Sequence, residues 1–222
     1  KCLLWILIST EYQCGYWSRN NFYVFISITT INFPTSLIKI GNNAFKADTV
    51  YLGKNVKDID YSLINSASEL ILPENSANIE IENGVVYSGT KVIGCLKNTT
   101  GDCVIREDTT EIVKKAFYGS KIISVDIPDS VTIIGESAFA YSESLETAQL
   151  SKNLKEFPIE LFYYCRNLKN IEIPDGVTKI GANAFGYCSS LTKLVFPDSV
   201  VSMDYEIERE ENCFEMVNNF EG

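Results

Sequence analysis

Apolar and polar residues alternate in short bursts that recur along most of the chain. In LKNIEIP (168–174), Ile171 and Ile173 alternate with Glu172, the two-residue period of a strand with one buried face. Pro174 ends that strand because proline cannot donate to a ladder. In GVTKIG (176–181), Val177 and Ile180 are expected to point inward, and Gly181 to make a tight bend with positive φ. In ANAFGYCSSL (182–191), Ala184, Phe185, Cys188 and Leu191 have helical spacing, which predicts one short helical turn packed back on the strand. A coil this small cannot bury its own core, so it must stack on copies of itself.

Such copies are present. Pro174 and Pro197 stand 23 residues apart, Pro128 lies two such periods before Pro174, and Ser151 occupies the beat between. Continuing upstream, the same slot falls on Arg106, Pro73, Gly53 and Pro34, which makes eight units. Trp17, Asn21 and Phe22, each 23 residues before Ile40, Ala44 and Phe45, hint at a ninth. Equivalent positions predict ladders through the stack. One runs Ile31, Val50, Leu70, Cys103, Val125, Ala148, Ile171, Leu194 and a second Ile40, Ile59, Ile79, Ile112, Ile134, Phe157, Ile180, Met203. A phenylalanine spine runs Phe45, Phe117, Phe139, Phe162, Phe185, with Ile64 substituting in the second unit. At the ~4.8 Å spacing of parallel strands, eight units form a rod or arc about 40 Å long.

The third unit breaks the period. It carries VVYS and KVIGCL flanking Ser88-Gly89-Thr90, a turn signal that predicts a β-hairpin inserted at about 82–102 and projecting from the stack.

The signature I-x-I-P-[DE]-x-V-T-x-I-G-x-x-A-F-x-x-C, nearly verbatim at 122–142 and 168–200 and partial at 28–45 and 103–120, resembles the BspA-like, or Treponema pallidum type, leucine-rich repeat. GVVYSGTKVIG resembles an insertion common in that family. The glycine is lost in the units beginning at 46 and 143, and both ends depart from the pattern. The resemblance implies a leucine-rich-repeat solenoid, mostly β with short helical turns. It also implies a surface-exposed or secreted protein of bacteria or certain parasitic protists, associated with adhesion to host cells or matrix proteins.

Composition narrows the chemistry. With no histidine among 222 residues, Ser-His-Asp and Cys-His catalysis, His-containing zinc sites and an imidazole switch are excluded. A formal charge of −10 leaves no basic surplus for nucleic acid or anionic membrane. Residues 200–222 hold seven acids and one base, so the acidity lies mainly in a diverged last repeat at 204–222. The longest apolar run near the start, Leu3–Ile8, is far short of a membrane span. KCLLWILIST reads either as the tail of a secretory signal or, the better match, as part of a degenerate unit over 1–27, and the chain looks cut from something longer. The repeats proper are expected at 28–203.

Seven cysteines, Cys2, Cys14, Cys95, Cys103, Cys165, Cys188 and Cys213, include no CxxC pair and cannot pair evenly. Cys165 and Cys188 share a repeat position. They read as free thiols serving as small buried hydrophobes, with a disulfide between coils as the alternative. Cys95 and Cys103 are a weaker candidate pair where the hairpin rejoins the stack. Paired carboxylates are numerous, but a solenoid without loops is expected to offer no cleft in which to hold them for catalysis. Asn98-Thr99-Thr100 is a possible glycosylation sequon, with Asn98 exposed.

The strongest functional candidate is a surface. Outward positions on the first strand of each coil form one row, Asn32, Tyr51, Ile71, Val104, Asp126, Gln149, Glu172, Val195, and a second, Thr30, Thr49, Glu69, Asp102, Ser124, Thr147, Asn170, Lys193. Of these, Glu69, Asp102, Ser124, Asp126, Thr147, Gln149, Asn170, Glu172 and Lys193 are taken as the protein-binding face. The reading is a non-enzymatic binding module with no cofactor or metal, whose partner is a protein, such as a host matrix or cell-surface protein. The alternative is a structural spacer carrying another domain of a longer chain.

Overall fold

The computed structural model describes residues 28–41, 45–74, 76 and 78–204. The first half comprises β1 (Ile28–Asn32), β2 (Lys39–Ile40), β3 (Ala47–Tyr51), β4 (Asp58–Ile59), α1 (Tyr61–Ser66), β5 (Glu69–Ile71), β6 (Glu80–Glu82), β7 (Val85–Ser88) and β8 (Lys91–Cys95). The second half follows with β9 (Thr100–Val104), β10 (Glu111–Ile112), β11 (Lys121–Asp126), β12 (Ile133–Ile134), β13 (Thr147–Gln149), β14 (Glu156–Phe157), β15 (Asn170–Ile171), β16 (Lys179–Ile180) and β17 (Ser202–Met203).

These strands form a solenoid of about eight stacked turns with almost no helix. Every pairing is parallel except within the inserted hairpin, because each coil runs in the same sense as the last. The register follows the expected ladders: Ile31 pairs with Val50 and Val50 with Leu70, then Cys103 with Val125, Val125 with Ala148 and Ala148 with Ile171. On the second side Ile40 pairs with Ile59, Ile112 with Ile134, and Phe157 with Ile180, which pairs with Met203. A one-residue slip would turn each buried rung to water, so the apolar pattern enforces the register.

The hairpin does not project. The expected strands and the Gly89-Thr90 loop are present, but β8 pairs in parallel with β10, so Val92 fills the rung beside Ile112 that Ile79 was expected to fill. β6 and β7 extend this sheet antiparallel. The cause lies in VVY, which is apolar on both faces. Val85 and Tyr87 belong to the core that runs on to Leu191, whereas Val86 belongs to the core that begins at Ile28. In water these side chains would each forfeit roughly 1.5–3 kcal/mol of burial. The insertion therefore forms a wall between two hydrophobic cores. Arg106, in the proline slot, ties the wall to the next coil: it pairs with Glu80, donates to the Gly89 carbonyl at 2.9 Å and lies 4.1 Å from the Tyr87 ring centroid.

The A-F segments are turns, not the expected helical turns; α1 is the one helix among the described residues. Lys115, Ser137, Glu160 and Asn183 share one left-handed position, and Gly119, Tyr141, Tyr164 and Tyr187 another. That conformation turns alternate N–H groups toward the next coil instead of along a helix. Phe117 donates to Ala138, Phe139 to Leu161 and Phe162 to Ala184, at 2.8–3.0 Å. Gly181 lacks the expected positive φ. A Cβ there would lie 2.5 Å from the Ile159 nitrogen, and at Gly135 it would lie 2.3 Å from the Lys114 nitrogen, so glycine admits the backbone of the preceding coil.

The phenylalanine spine stacks at centroid separations of 4.9 Å (Phe117–Phe139), 5.4 Å (Phe139–Phe162) and 6.0 Å (Phe162–Phe185). Each such pair adds about 0.5–1.5 kcal/mol beyond area burial. Ile64, the expected substitute, is fully buried against Gly94. Beside the spine the Cys165 and Cys188 sulfurs donate to the Phe139 and Phe162 carbonyls at 3.1 Å, as the Ser142 hydroxyl donates to Phe117 at 2.7 Å. This position selects a small donor, more specific than the small hydrophobe expected from sequence. Cys95, Cys103, Cys165 and Cys188 are free, so neither candidate disulfide forms; Cys2, Cys14 and Cys213 lie outside the described residues.

Candidate functional site

The outward strand positions emerge as expected, but as two patches. In the first, β1, β3 and β5 align Thr30 with Thr49 and Glu69, and Asn32 with Tyr51 and Ile71. In the second, β9, β11, β13 and β15 align Asp102, Ser124, Thr147 and Asn170 in one row and Val104, Asp126 and Gln149 in the next. Glu69 and Asp102, neighbours in the expected row, are not paired, because the hairpin wall intervenes. Glu172 and Lys193 are exposed but lie outside the strands.

The second patch is the larger and its chemistry is mixed. The Ser124 hydroxyl donates to Asp102 at 2.6 Å, Val104 is 67% exposed on the same strand as Asp102, and Val195, in the last coil, is 61% exposed. A β-bulge at Ile123 adds a third exposed apolar side chain to the start of β11. Other outward charges are matched between coils: Lys39 with Asp58, Lys114 with Glu136, Lys169 with Glu146 and Lys179 with Asp204. The Lys39 and Lys179 ammonium groups are held above their usual pKa by those carboxylate hydrogen bonds. The rest of the acidic segment after Asp204 lies outside the described residues.

Two features escaped the sequence reading. The first is a tyrosine strip along the turns: Tyr118, Tyr141, Tyr164 and Tyr187 follow one another at centroid separations of 5.1, 5.1 and 4.3 Å, with Tyr163 packed edge-on against Tyr141, Tyr164 and Tyr187. Burial among these rings pushes the Tyr163 phenol up to about 12. The 23-residue spacing of Tyr141, Tyr164 and Tyr187 was the available signal. The second is a cleft, where none was expected. It measures about 540 Å³ and lies between the start of β3, α1, Lys97 and the turn at Lys115 to Tyr118. It exists because α1 replaces a repeat turn just where the hairpin wall interrupts the stack.

Thiol chemistry has little to work with. Burial pushes Cys95 up to about 11, Cys103 and Cys188 up to about 12, and Cys165 well above its usual value, so none is a thiolate near neutrality. Among the described residues no group of three or more His, Cys, Asp or Glu side chains is placed to hold a metal, and no helix is long and apolar enough to cross a membrane. Asn98 is exposed on the loop before β9.

Solved structures share the architecture. A leucine-rich cell surface protein from Faecalibacterium prausnitzii matches with a TM-score of 0.64 at 23% identity, over 85% of this chain and 56% of that one. A leucine-rich repeat protein from Eubacterium ventriosum matches at 0.58 and 21% identity, over 80% and 63%. The pneumococcal vaccine antigen PcpA matches at 0.55 and 17%, over 80% and 56%. The chain thus spans about six-tenths of the length of such neighbours, and at these identities they speak to the fold alone. No curated protein sequence matches significantly. The BspA type leucine-rich repeat region matches residues 8–92 and 95–220 in six copies, fewer than the eight units counted and reaching upstream of residue 28. On that match, which takes in nearly the whole sequence, the chain belongs to the BspA type leucine-rich repeat family.

Proposed function

We propose that the chain is a non-enzymatic protein-binding module of a cell-surface or secreted protein. Its docking surface is the outward face of β9, β11, β13 and β15. The observation that carries this reading is the parallel register, which sets Asp102, Ser124, Thr147 and Asn170 beside Val104, Asp126 and Gln149 as two adjacent outward rows, exposed but for the half-buried Ser124. Rigid rows of acidic, hydroxyl and amide groups with an exposed valine can pair with several polar groups of a partner at no cost in backbone ordering. The acidity of Asp102, Asp126 and Glu172 favours a basic patch on that partner, by complementarity. Glu69 on the first patch and Lys193 at the edge of the second flank this surface. The expected partner is a host matrix or cell-surface protein, a reading supported by the cell-surface description of the Faecalibacterium neighbour and the antigen description of PcpA. Asn98 is the proposed acceptor of an N-linked glycan if the chain is made in a secretory pathway that attaches one. A mass shift lost in Asn98→Gln reports it.

The test is charge reversal on the face. Asp102→Lys, Asp126→Lys and Glu172→Lys together, in a chain that keeps its circular dichroism and melting temperature, should weaken saturable binding to matrix proteins or host-cell surfaces at least about tenfold. Unchanged binding would overturn the reading, and function that follows the flanking sequence would favour a spacer.

A further inference from the structure

We infer that the cleft at the junction of the two cores binds an acidic sugar. From Lys115 to Gly186 the turns of neighbouring coils are joined to one another by successive backbone hydrogen bonds. Here α1 stands in for a turn, and the gap of about 540 Å³ has the volume of a site for a one- or two-ring ligand.

The charges around it are uneven. In a chain of net charge −10, the cleft is lined by Lys46, Lys97 and Lys115 against one carboxylate, Asp48. Asp48 pairs with Lys97 at 3.1 Å. Lys46 and Lys115 have no carboxylate partner among the described residues, whereas Lys39, Lys91 and Lys179 each pair with a carboxylate of the next coil. The Lys115 ammonium instead lies 5.1 Å from the Tyr118 ring centroid and 5.7 Å from that of Tyr61. Two cations without a carboxylate partner, one of them over two phenol rings, suit a ligand with an anionic group, a flat C–H face and hydroxyls. A carboxylated or sulfated pyranose has all three. The anion would sit between Lys46 and Lys115, and the ring would pack on Tyr118 and Tyr61. A bare inorganic anion would satisfy the lysines and leave most of the volume unused.

This site shares no residue with the strand face and stands or falls separately from it. The test titrates the full chain with a sulfated uronate disaccharide, a neutral disaccharide of equal size and inorganic sulfate, followed by calorimetry. Saturable binding of the acidic disaccharide is expected, weakened at least about tenfold in Lys46→Gln/Lys115→Gln and unchanged in the distant control Lys155→Gln. It should also weaken as ionic strength rises. Because Lys115 packs on two rings, the exposed Lys46→Glu is a second variant, and it should lose binding while melting like the parent. Absence of saturable binding, equal affinity for the neutral sugar, equal affinity for sulfate alone, or unaltered affinity in both variants would each overturn the proposal.

Discussion

Asn65 is where the two halves of the stack are fastened, and Asn65→Ala measures that fastening. Its amide nitrogen donates to the Lys115 carbonyl at 3.1 Å and the Tyr118 carbonyl at 3.3 Å, and its oxygen accepts from the backbone N–H of buried Cys95 at 3.1 Å. One side chain thereby joins α1, the hairpin wall and the first full turn of the second core. Alanine removes three hydrogen bonds worth about 1 kcal/mol each and leaves the Cys95 N–H without its partner, at a further 1–3 kcal/mol less whatever water recovers. A loss of about 3–5 kcal/mol follows. For a domain of this size each kcal/mol shifts the melting temperature by about 2–4 °C, so the midpoint should fall by roughly 6–20 °C. Asn65→Asp should be no better, since a carboxylate faces two carbonyl oxygens and keeps only the acceptor. Calorimetry is the assay, because stacked repeats unfold as coupled neighbours and a weakened junction should also broaden or split the transition. A variant that melts as one sharp transition within about 0.5 kcal/mol of the parent would refute the reasoning.

Other consequences follow from the coil geometry. Cys165→Ser should keep the donor to Phe139 and stay within about 1 kcal/mol of the parent, whereas Cys165→Val should lose about 1–2 kcal/mol in urea melts. Gly181→Ala, whose Cβ would strike the Ile159 backbone, should cost about 1–3 kcal/mol, while Gly41→Ala, with nothing within 4 Å, should be neutral in the same assay. The buried thiols predict alkaline instability. Their pKa values are raised from 9.0 to about 11 for Cys95 and about 12 for Cys103 and Cys188, so the unfolded chain releases these protons first. The thiols' contribution should be level from neutrality to about pH 8.5, and stability should then fall by up to about 1.4 kcal/mol per pH unit per thiol until the folded values are reached. A stability profile flat to pH 11 would contradict this.

Much of the fold was legible because its determinants repeat. Ile31, Val50 and Leu70, or Cys103, Val125 and Ala148, are matched by spacing alone, and stacking gives equal spacing equal register. What repeats only as letters was harder to read. Ala184, Phe185 and Cys188 are spaced as on a helix, yet left-handed residues at Asn183 and Tyr187 send their backbone bonds to the next coil. Helical spacing marks which side chains face inward and does not tell a helix from a series of turns. The hairpin was found but misplaced, since period-two reasoning assigns one wet face, and the adjacent Val85, Val86 and Tyr87 signalled two dry ones. The strand face was legible position by position. Its division at the wall, and the cleft opened there, depend on how the insertion packs, which no single unit encodes.

The strand face is the proposed docking surface. Hydrogen–deuterium exchange on the chain bound to a matrix or host-surface protein that it captures saturably tests this directly. New protection is expected in β9, β11, β13 and β15, centred on Asp102, Ser124, Thr147 and Gln149. Protection confined to the tyrosine turns, or to the cleft, would contradict it.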